Sequence, residues 1–149
     1  MVSKILVPSD GSKTAQKAAK YAVDLAKQLK ASIIALCVID KRLFMAQTIP
    51  LSKAIRDNTK SVEDYLRETA EGYATEVKSL CDKRGVPSKI SIKMGYPVEE
   101  ILKEAKKSKV NLIVMGSHGR SALSATILGS VAYGVIHNDN SVPVLIVRE

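Results

Sequence analysis

Near the carboxyl end of the chain, Gly116, Gly119 and Gly129 form the pattern G-x2-G-x9-G-S, which closes with Ser130 and Val131. The pattern directly follows the apolar run Val110-Asn111-Leu112-Ile113-Val114-Met115. A glycine-rich loop between a buried strand and a helix start suits phosphate binding. Glycine lets the backbone come close to the ligand, and the N–H groups of a helix N-terminus offer donors with a favourable dipole. A second polar turn, Pro8-Ser9-Asp10-Gly11-Ser12, ends the apolar stretch Lys4-Ile5-Leu6-Val7. If the two strands are neighbours, Asp10 and the glycine loop face one crevice. A carboxylate takes hydrogen bonds from ribose hydroxyls while backbone amides hold phosphates, so the two stretches together describe a nucleotide better than a bare anion. The residues alone leave two plainer readings open. Asp10 also serves as a turn and cap residue, and the glycines also end a strand and start a helix.

The histidines add little catalytic signal. His118 lies between Ser117 and Gly119, without an acid partner or a nucleophile visible in the sequence, and reads as an exposed loop residue near phosphate. His137 falls near the end of a helix, where a cation suits the dipole. There is no G-x4-G-K-[ST] phosphate loop and no G-x-G-x-x-G dinucleotide fingerprint. No carboxylate pair marks a metal site within the glycine loop, so a divalent cation would be held largely by phosphates and water.

The elements that must position these residues follow from hydrophobic periodicity. Lys4 to Pro8 reads as a short buried strand. Ala15, Ala18, Ala19, Ala22, Leu25, Ala26 and Leu29 recur at helical spacing with lysines opposite, and Ser12 suits the N-cap. Ser32 to Ile39 is a second apolar strand, so the chain opens as a right-handed parallel crossover. Residues 41–60 form an irregular insert, with Phe44, Met45, Ile49, Pro50 and Leu51 mixed among charges, and are a candidate lid. A helix begins at Ser61 and stops at Gly85 and Pro87. A third strand carries Ile90, Ile92 and Met94, then a short helix opens with Pro97, Glu99 and Glu100. The fourth strand is Asn111 to Met115, a last helix covers about Gly129 to Ile136, and Val144 to Val147 form a fifth strand. Strand–helix alternation with near-continuous apolar strands predicts an α/β fold. It is an open, doubly wound, Rossmann-like parallel sheet of five strands, with helices on both faces, in one domain spanning 1–149.

Length and composition fit such a domain: 149 residues, 46% hydrophobic and 26% charged. No apolar stretch approaches the ~20 residues of a membrane span, and no signal-peptide pattern is visible, so the expectation is a cytoplasmic protein without a membrane partner. Cys37 and Cys81 lack metal or redox spacing, and Cys37 reads as a small core residue. The formal charge of +8 is spread along helices, at Lys13, Lys17, Lys20 and Lys27 and again at Lys103, Lys106, Lys107 and Lys109. With aromatics at only 4%, this reads as solvated helix surface, not a nucleic-acid footprint.

Several of these stretches together resemble the universal stress protein family, in particular its ATP-binding branch. They are Ile5-Leu6-Val7-Pro8-Ser9-Asp10-Gly11-Ser12, Val38-Ile39-Asp40, Met115-Gly116-Ser117-His118-Gly119, Gly129-Ser130-Val131 and Val142-Pro143-Val144-Leu145-Ile146-Val147. The resemblance implies a fold like that of the adenine nucleotide α-hydrolases and a site for ATP, with Mg2+ or Mn2+ held mainly through the phosphates. It places adenine near the backbone of Val38 and the adenosine against Pro8, Ser9 and Asp10, with Asp10 toward ribose. Met115 and Gly116 then form the strand end beneath the nucleotide. Gly119, Gly129, Ser130 and Val131 form the phosphate cradle, to which His118 is added. Ala132 stands where relatives often carry Ser or Thr, so one hydroxyl contact is absent.

The expected function is a nucleotide-responsive binding module in stress response, not an enzyme beyond slow hydrolysis. The related α-hydrolases carry Ser-Gly-Gly-x-Asp-Ser after the first strand, and this chain lacks it. The alternatives are a slow ATP-hydrolysing enzyme and a nucleotide-free protein–protein scaffold, a branch recognised by loss of the glycine pattern that is retained here. The apolar fifth strand suits a sheet edge open to pairing. The resemblance implies a homodimer joined through residues 143–147.

Overall fold

The computed structural model describes residues 1–42, 61–119, 128–138 and 141–149. Among the described residues five strands, β1 (Lys4–Pro8), β2 (Ser32–Asp40), β3 (Ser88–Gly95), β4 (Leu112–Gly116) and β5 (Val144–Val147), alternate with four helices. These are α1 (Lys13–Leu29), α2 (Val62–Arg84), α3 (Pro97–Lys107) and α4 (Ser130–His137). All ladders are parallel, in the order β3-β2-β1-β4-β5. The expected doubly wound α/β sheet is therefore present. Of the insert expected over 41–60, Lys41 and Arg42 leave β2 in helical conformation. Its remainder, and with it the lid reading, lies outside the described residues.

Alternation along the strands divides the core in two. Ile5, Val7, Ile33, Ala35, Cys37 and Ile39 face one side with Ala18, Ala22 and Ala26 of α1 and Ala70, Ala74 and Val77 of α2. Leu6, Ile34, Leu36, Ile113 and Met115 face the other with Ile101 and Ala105 of α3 and Ala132 and Val135 of α4. The largest wholly buried side chains include Ile5, Leu6, Ile33, Ile34, Leu36 and Ile113, all from the three central strands. At about 1.5–3 kcal/mol for each such side chain, these strands dominate the packing. Both cysteines are core residues. Cys37 is buried in β2, and Cys81 is buried in α2, where burial pushes its thiol pKa up.

Strand β3 is longer than its apolar alternation suggests. Ser88 and Lys89 join the ladder opposite Ile33 and Ile34 because parallel pairing needs only their backbone groups. The last helix is shorter at its start, where Gly129 is the extended N-cap and not the first helical residue. Helix α1 begins with the Ser12 hydroxyl accepting from the Ala15 N–H at 3.2 Å. It ends on Lys30, whose φ of 57° is left-handed and whose N–H reaches the Ala26 carbonyl.

A non-glycine residue in that region costs about 1–2 kcal/mol. Lys30→Gly is therefore expected to raise stability by about 1 kcal/mol. The check is a higher urea midpoint at constant slope. An unchanged midpoint would show that residue 30 is not held left-handed in solution.

Candidate functional site

The chain adds β2 and β3 on one side of β1, then crosses to place β4 on the other side. Strand order reverses between β1 and β4, and in open parallel sheets ligands bind beyond the carboxyl ends of the strands at that point. Both polar turns singled out in the sequence lie there. Ile5 and Leu6 pair with Leu112 and Ile113, so the strands are neighbours and Asp10 meets the glycine loop.

The approach is close. A Cβ added to Gly119 would lie 2.6 Å from Asp10 Oδ2, so a side chain there would displace the carboxylate. Asp10 Oδ1 meanwhile accepts the Ser12 N–H at 3.0 Å, which fixes the carboxylate as a turn residue and as part of the crevice wall. Gly11 has φ +79°, and a Cβ there would meet the Tyr73 ring at 2.2 Å, so α2 closes down on this turn. Ser9, buried, donates its N–H to the Leu36 carbonyl at 2.9 Å and accepts from Gly11 N–H through Oγ. Pro8 stands opposite Leu36, and Val38 lies further along β2, half-buried against the second core.

On the β4 side the three glycines do different work. Gly116 lets α1 approach, since a Cβ there would meet Thr14 Cγ2 at 2.8 Å. Gly129 is tight against the preceding loop, its would-be Cβ 3.0 Å from the Ser117 carbonyl oxygen and 3.2 Å from His118 Cα. As an N-cap without a side chain, Gly129 leaves the first N–H groups of α4 uncapped by residue 129, beside the exposed Ser130. Met115 turns its side chain into the second core, Val131 packs against it, and Ala132 is buried within it. Position 132 thus points its side chain to the core in this chain.

Ser117 is the residue that sequence reasoning missed. Buried at 4% exposure, it donates its N–H to Val147 of β5 at 2.9 Å and accepts the Gly129 N–H at 2.7 Å. Its hydroxyl meets His118 Nδ1 at 2.8 Å. One residue thereby joins the end of β4, the last strand and the start of α4. A serine between Gly116 and His118 was the available signal. That hydroxyl also corrects the reading of His118 as an exposed loop residue. The ring is held against the loop, half-buried, and Nε2 is shut off from solvent without a hydrogen-bond partner among the described residues. His137 stacks on Tyr133 at 3.8 Å and its Nδ1–H donates to the Tyr133 carbonyl, a local structural role.

Asp40, at the end of β2, accepts the Arg42 backbone N–H at 2.9 Å and both side-chain donors, Nε at 3.0 Å and Nη2 at 2.7 Å. Burial by itself would raise the Asp40 pKa. The Arg42 hydrogen bonds and charge outweigh it and hold the carboxyl below its ordinary value. Among the described residues no group of three or more His, Cys, Asp or Glu could hold a metal ion. A cavity of about 150 Å³ lies between α1 and α2, lined by Lys20, Val23, Asp24, Leu80, Lys83 and Arg84. It is remote from the switch point, because α2 ends where β3 begins.

Fold and site together define an open α/β protein with a glycine-lined crevice at its switch point. Residues 1–148 match the Universal stress protein family, and the chain belongs to that family. It is 34% identical to universal stress protein MJ0531 of Methanocaldococcus jannaschii, over 100% of this chain and 84% of that protein. Universal stress protein MJ0577 of the same organism is 37% identical, over 99% of this chain and 96% of its own length. The solved structure of MJ0577 superposes with a TM-score of 0.83, covering 100% of this chain and 97% of that chain at 34% identity. A universal stress protein from Archaeoglobus fulgidus, solved in complex with dAMP, shares the fold at 18% identity and a TM-score of 0.65, over 99% of this chain and 98% of its own.

The depressed Asp40 value makes a pH prediction. A carboxyl whose folded pKa is lowered contributes stability that is present above its unfolded value of about 3.9 and is lost as pH falls through the folded value. In NMR titration Asp40 is expected to titrate below the ordinary aspartate range, and Arg42→Gln to move the midpoint upward. A midpoint unmoved by that substitution would remove Arg42 as the cause.

Proposed function

We propose that this chain is an ATP-binding regulatory module, with the nucleotide lying across the switch point between β1 and β4. The observation that carries this reading is the close meeting of Asp10 with Gly119, because it puts a carboxylate and a side-chain-free backbone on one crevice. Asp10 would take the ribose hydroxyls, and the backbone near Val38 would border the base. Gly119, Gly129, Ser130 and Val131 would hold the phosphates with the first amides of α4. The residues present fit that role. A Cβ at Gly119 would meet the Asp10 carboxylate and one at Gly129 the Ser117 carbonyl, so both positions require bare backbone.

Mg2+ or Mn2+ would be carried on the phosphates, with no set of protein ligands required. Neutralising phosphate charge is the chemistry the metal supplies there. The dAMP complex of the Archaeoglobus relative contributes only the common fold; the inference rests on this chain's own crevice. No catalytic residue enters the reading. The module acts because ATP binds one conformational or dimeric state better than another.

Calorimetric titration of nucleotide-stripped protein with Mg-ATP is expected to saturate near one nucleotide per chain. Asp10→Asn keeps the Oδ1 acceptor for Ser12 but removes the charge, and should weaken ATP, ADP and AMP alike by about ten-fold. Absence of binding in folded protein would return the family's nucleotide-free scaffold reading.

The second element of the proposal is assembly. Strand β5 is an outer strand of the sheet, and its free edge suits pairing with the same strand of a second copy through residues 143–147. Sedimentation at micromolar concentration is expected to show twice the 16.1 kDa chain mass. A monomer mass would count against the paired-edge dimer.

A further inference from the structure

Basic residues that the sequence spreads along several helices are gathered by the fold. Every strand is parallel, so the helices between them end at the amino edge of the sheet, opposite the nucleotide crevice. Exposed cations stand at each of three such ends: Lys27 in the last turn of α1 and Lys30 just after it, Lys83 and Arg84 in the last turn of α2, and Lys106 and Lys107 in the last turn of α3 with Lys109 just after it. Lys89, also exposed, opens β3 on the same edge.

Hydrogen bonds show that the edge is one continuous surface. Lys4 Nζ donates to the Ser108 carbonyl at 3.0 Å, and Asn111 Oδ1 accepts from the N–H groups of Ser3 and Lys4. Ser32 N–H reaches the Ser3 carbonyl, and Ile33 N–H reaches the Pro87 carbonyl. Of the acids beside it, Asp24 pairs with Arg84 and Asp82 with Lys78. Cations in the last turn of a helix complement its dipole. That accounts for single residues, but not for Lys89, which opens a strand, or for the crowding of one edge.

We propose that this amino edge is a docking face for an anionic lipid surface. Charge complementarity names the partner's sign, and three features favour a bilayer over a nucleic acid. The cations span the ends of helices on both faces of the sheet and so form a broad face in place of a groove. Seven of the eight exposed cations are Lys, a point charge on a long stem suited to mobile headgroups, and only one offers the guanidinium fork that reads phosphate geometry. Leu29 is 43% exposed between Lys27 and Lys30, and no aromatic side chain stands among these residues to stack on bases.

The expectation of no membrane partner rested on the lack of a spanning segment. Among the described residues no helix is long and apolar enough to cross a membrane. A peripheral contact needs only charge and leaves the crevice open to solvent.

The test is co-sedimentation with vesicles of phosphatidylcholine containing about 30% phosphatidylglycerol, against phosphatidylcholine alone. Binding is expected only with the anionic lipid, and is expected to be lost at about 0.5 M salt, where screening is short-ranged. Two triple variants separate the edge from bulk charge: Lys30→Gln, Lys106→Gln and Lys107→Gln on the amino edge, against Lys13→Gln, Lys17→Gln and Lys41→Gln toward the carboxyl edge. They lower the net charge equally. The first is expected to cut vesicle binding at least about ten-fold more than the second. Circular dichroism checks that both are folded.

Equal losses would overturn the proposal in favour of undirected charge. Absence of binding to anionic vesicles would overturn it outright. Preference for duplex DNA in salt-matched competition would replace the lipid surface with a nucleic acid.

Discussion

Pairing of β1 with β4 is the constraint on which the remainder of this structure depends. It needs few residues, Ile5 and Leu6 against Leu112 and Ile113, but it sets the strand order and so the place where that order reverses. Once the strands are adjacent, the turns that follow them must share one small volume. The glycines stand where that sharing is tightest: Gly116 against Thr14, Gly119 against Asp10, Gly129 against Ser117. Each omits a Cβ whose place a neighbouring residue, in α1 for Gly116 and in a loop for the other two, already occupies. The glycine pattern is thus a packing requirement of the switch point and, in the same stroke, the bare backbone that a phosphate needs.

Parallel topology also gives the molecule two chemically different edges. Helices start at the carboxyl edge, where uncapped N–H groups and the positive end of the dipole favour anions. They end at the amino edge, where cations are favoured, and this chain has filled that edge with lysine. A polyanionic partner on one edge and a nucleotide on the other would not compete for space. The same backbone regularity produces both preferences.

Ser117 connects the two structural themes of the site. Its main chain is held by Val147 on one side and Gly129 on the other, so the end of β5 and the start of α4 cannot shift independently at this point. Its hydroxyl orients His118 without a third group to complete a catalytic relay among the described residues. That arrangement is one of support.

Much of this was legible in the sequence. Apolar runs of four to nine residues, helical alanine spacing and the stops at Pro8, Gly85 and Pro87 determined the elements, because burial on both faces leaves a direct compositional mark. The motif residues Asp10, Gly119 and Gly129 were visible as well. Their meeting was not, since it depends on which strands pair, and pairing is a non-local choice between similar apolar edges. Only the tertiary structure decided that Gly116 serves helix packing, that Ser117 is a buried junction and that His118 is half-buried. Each of these follows from contacts between residues distant in the chain or from the exact course of a loop. Only the fold, too, turned lysines scattered along the sequence into one charged edge, because parallel strands force their connecting helices to end on the same side.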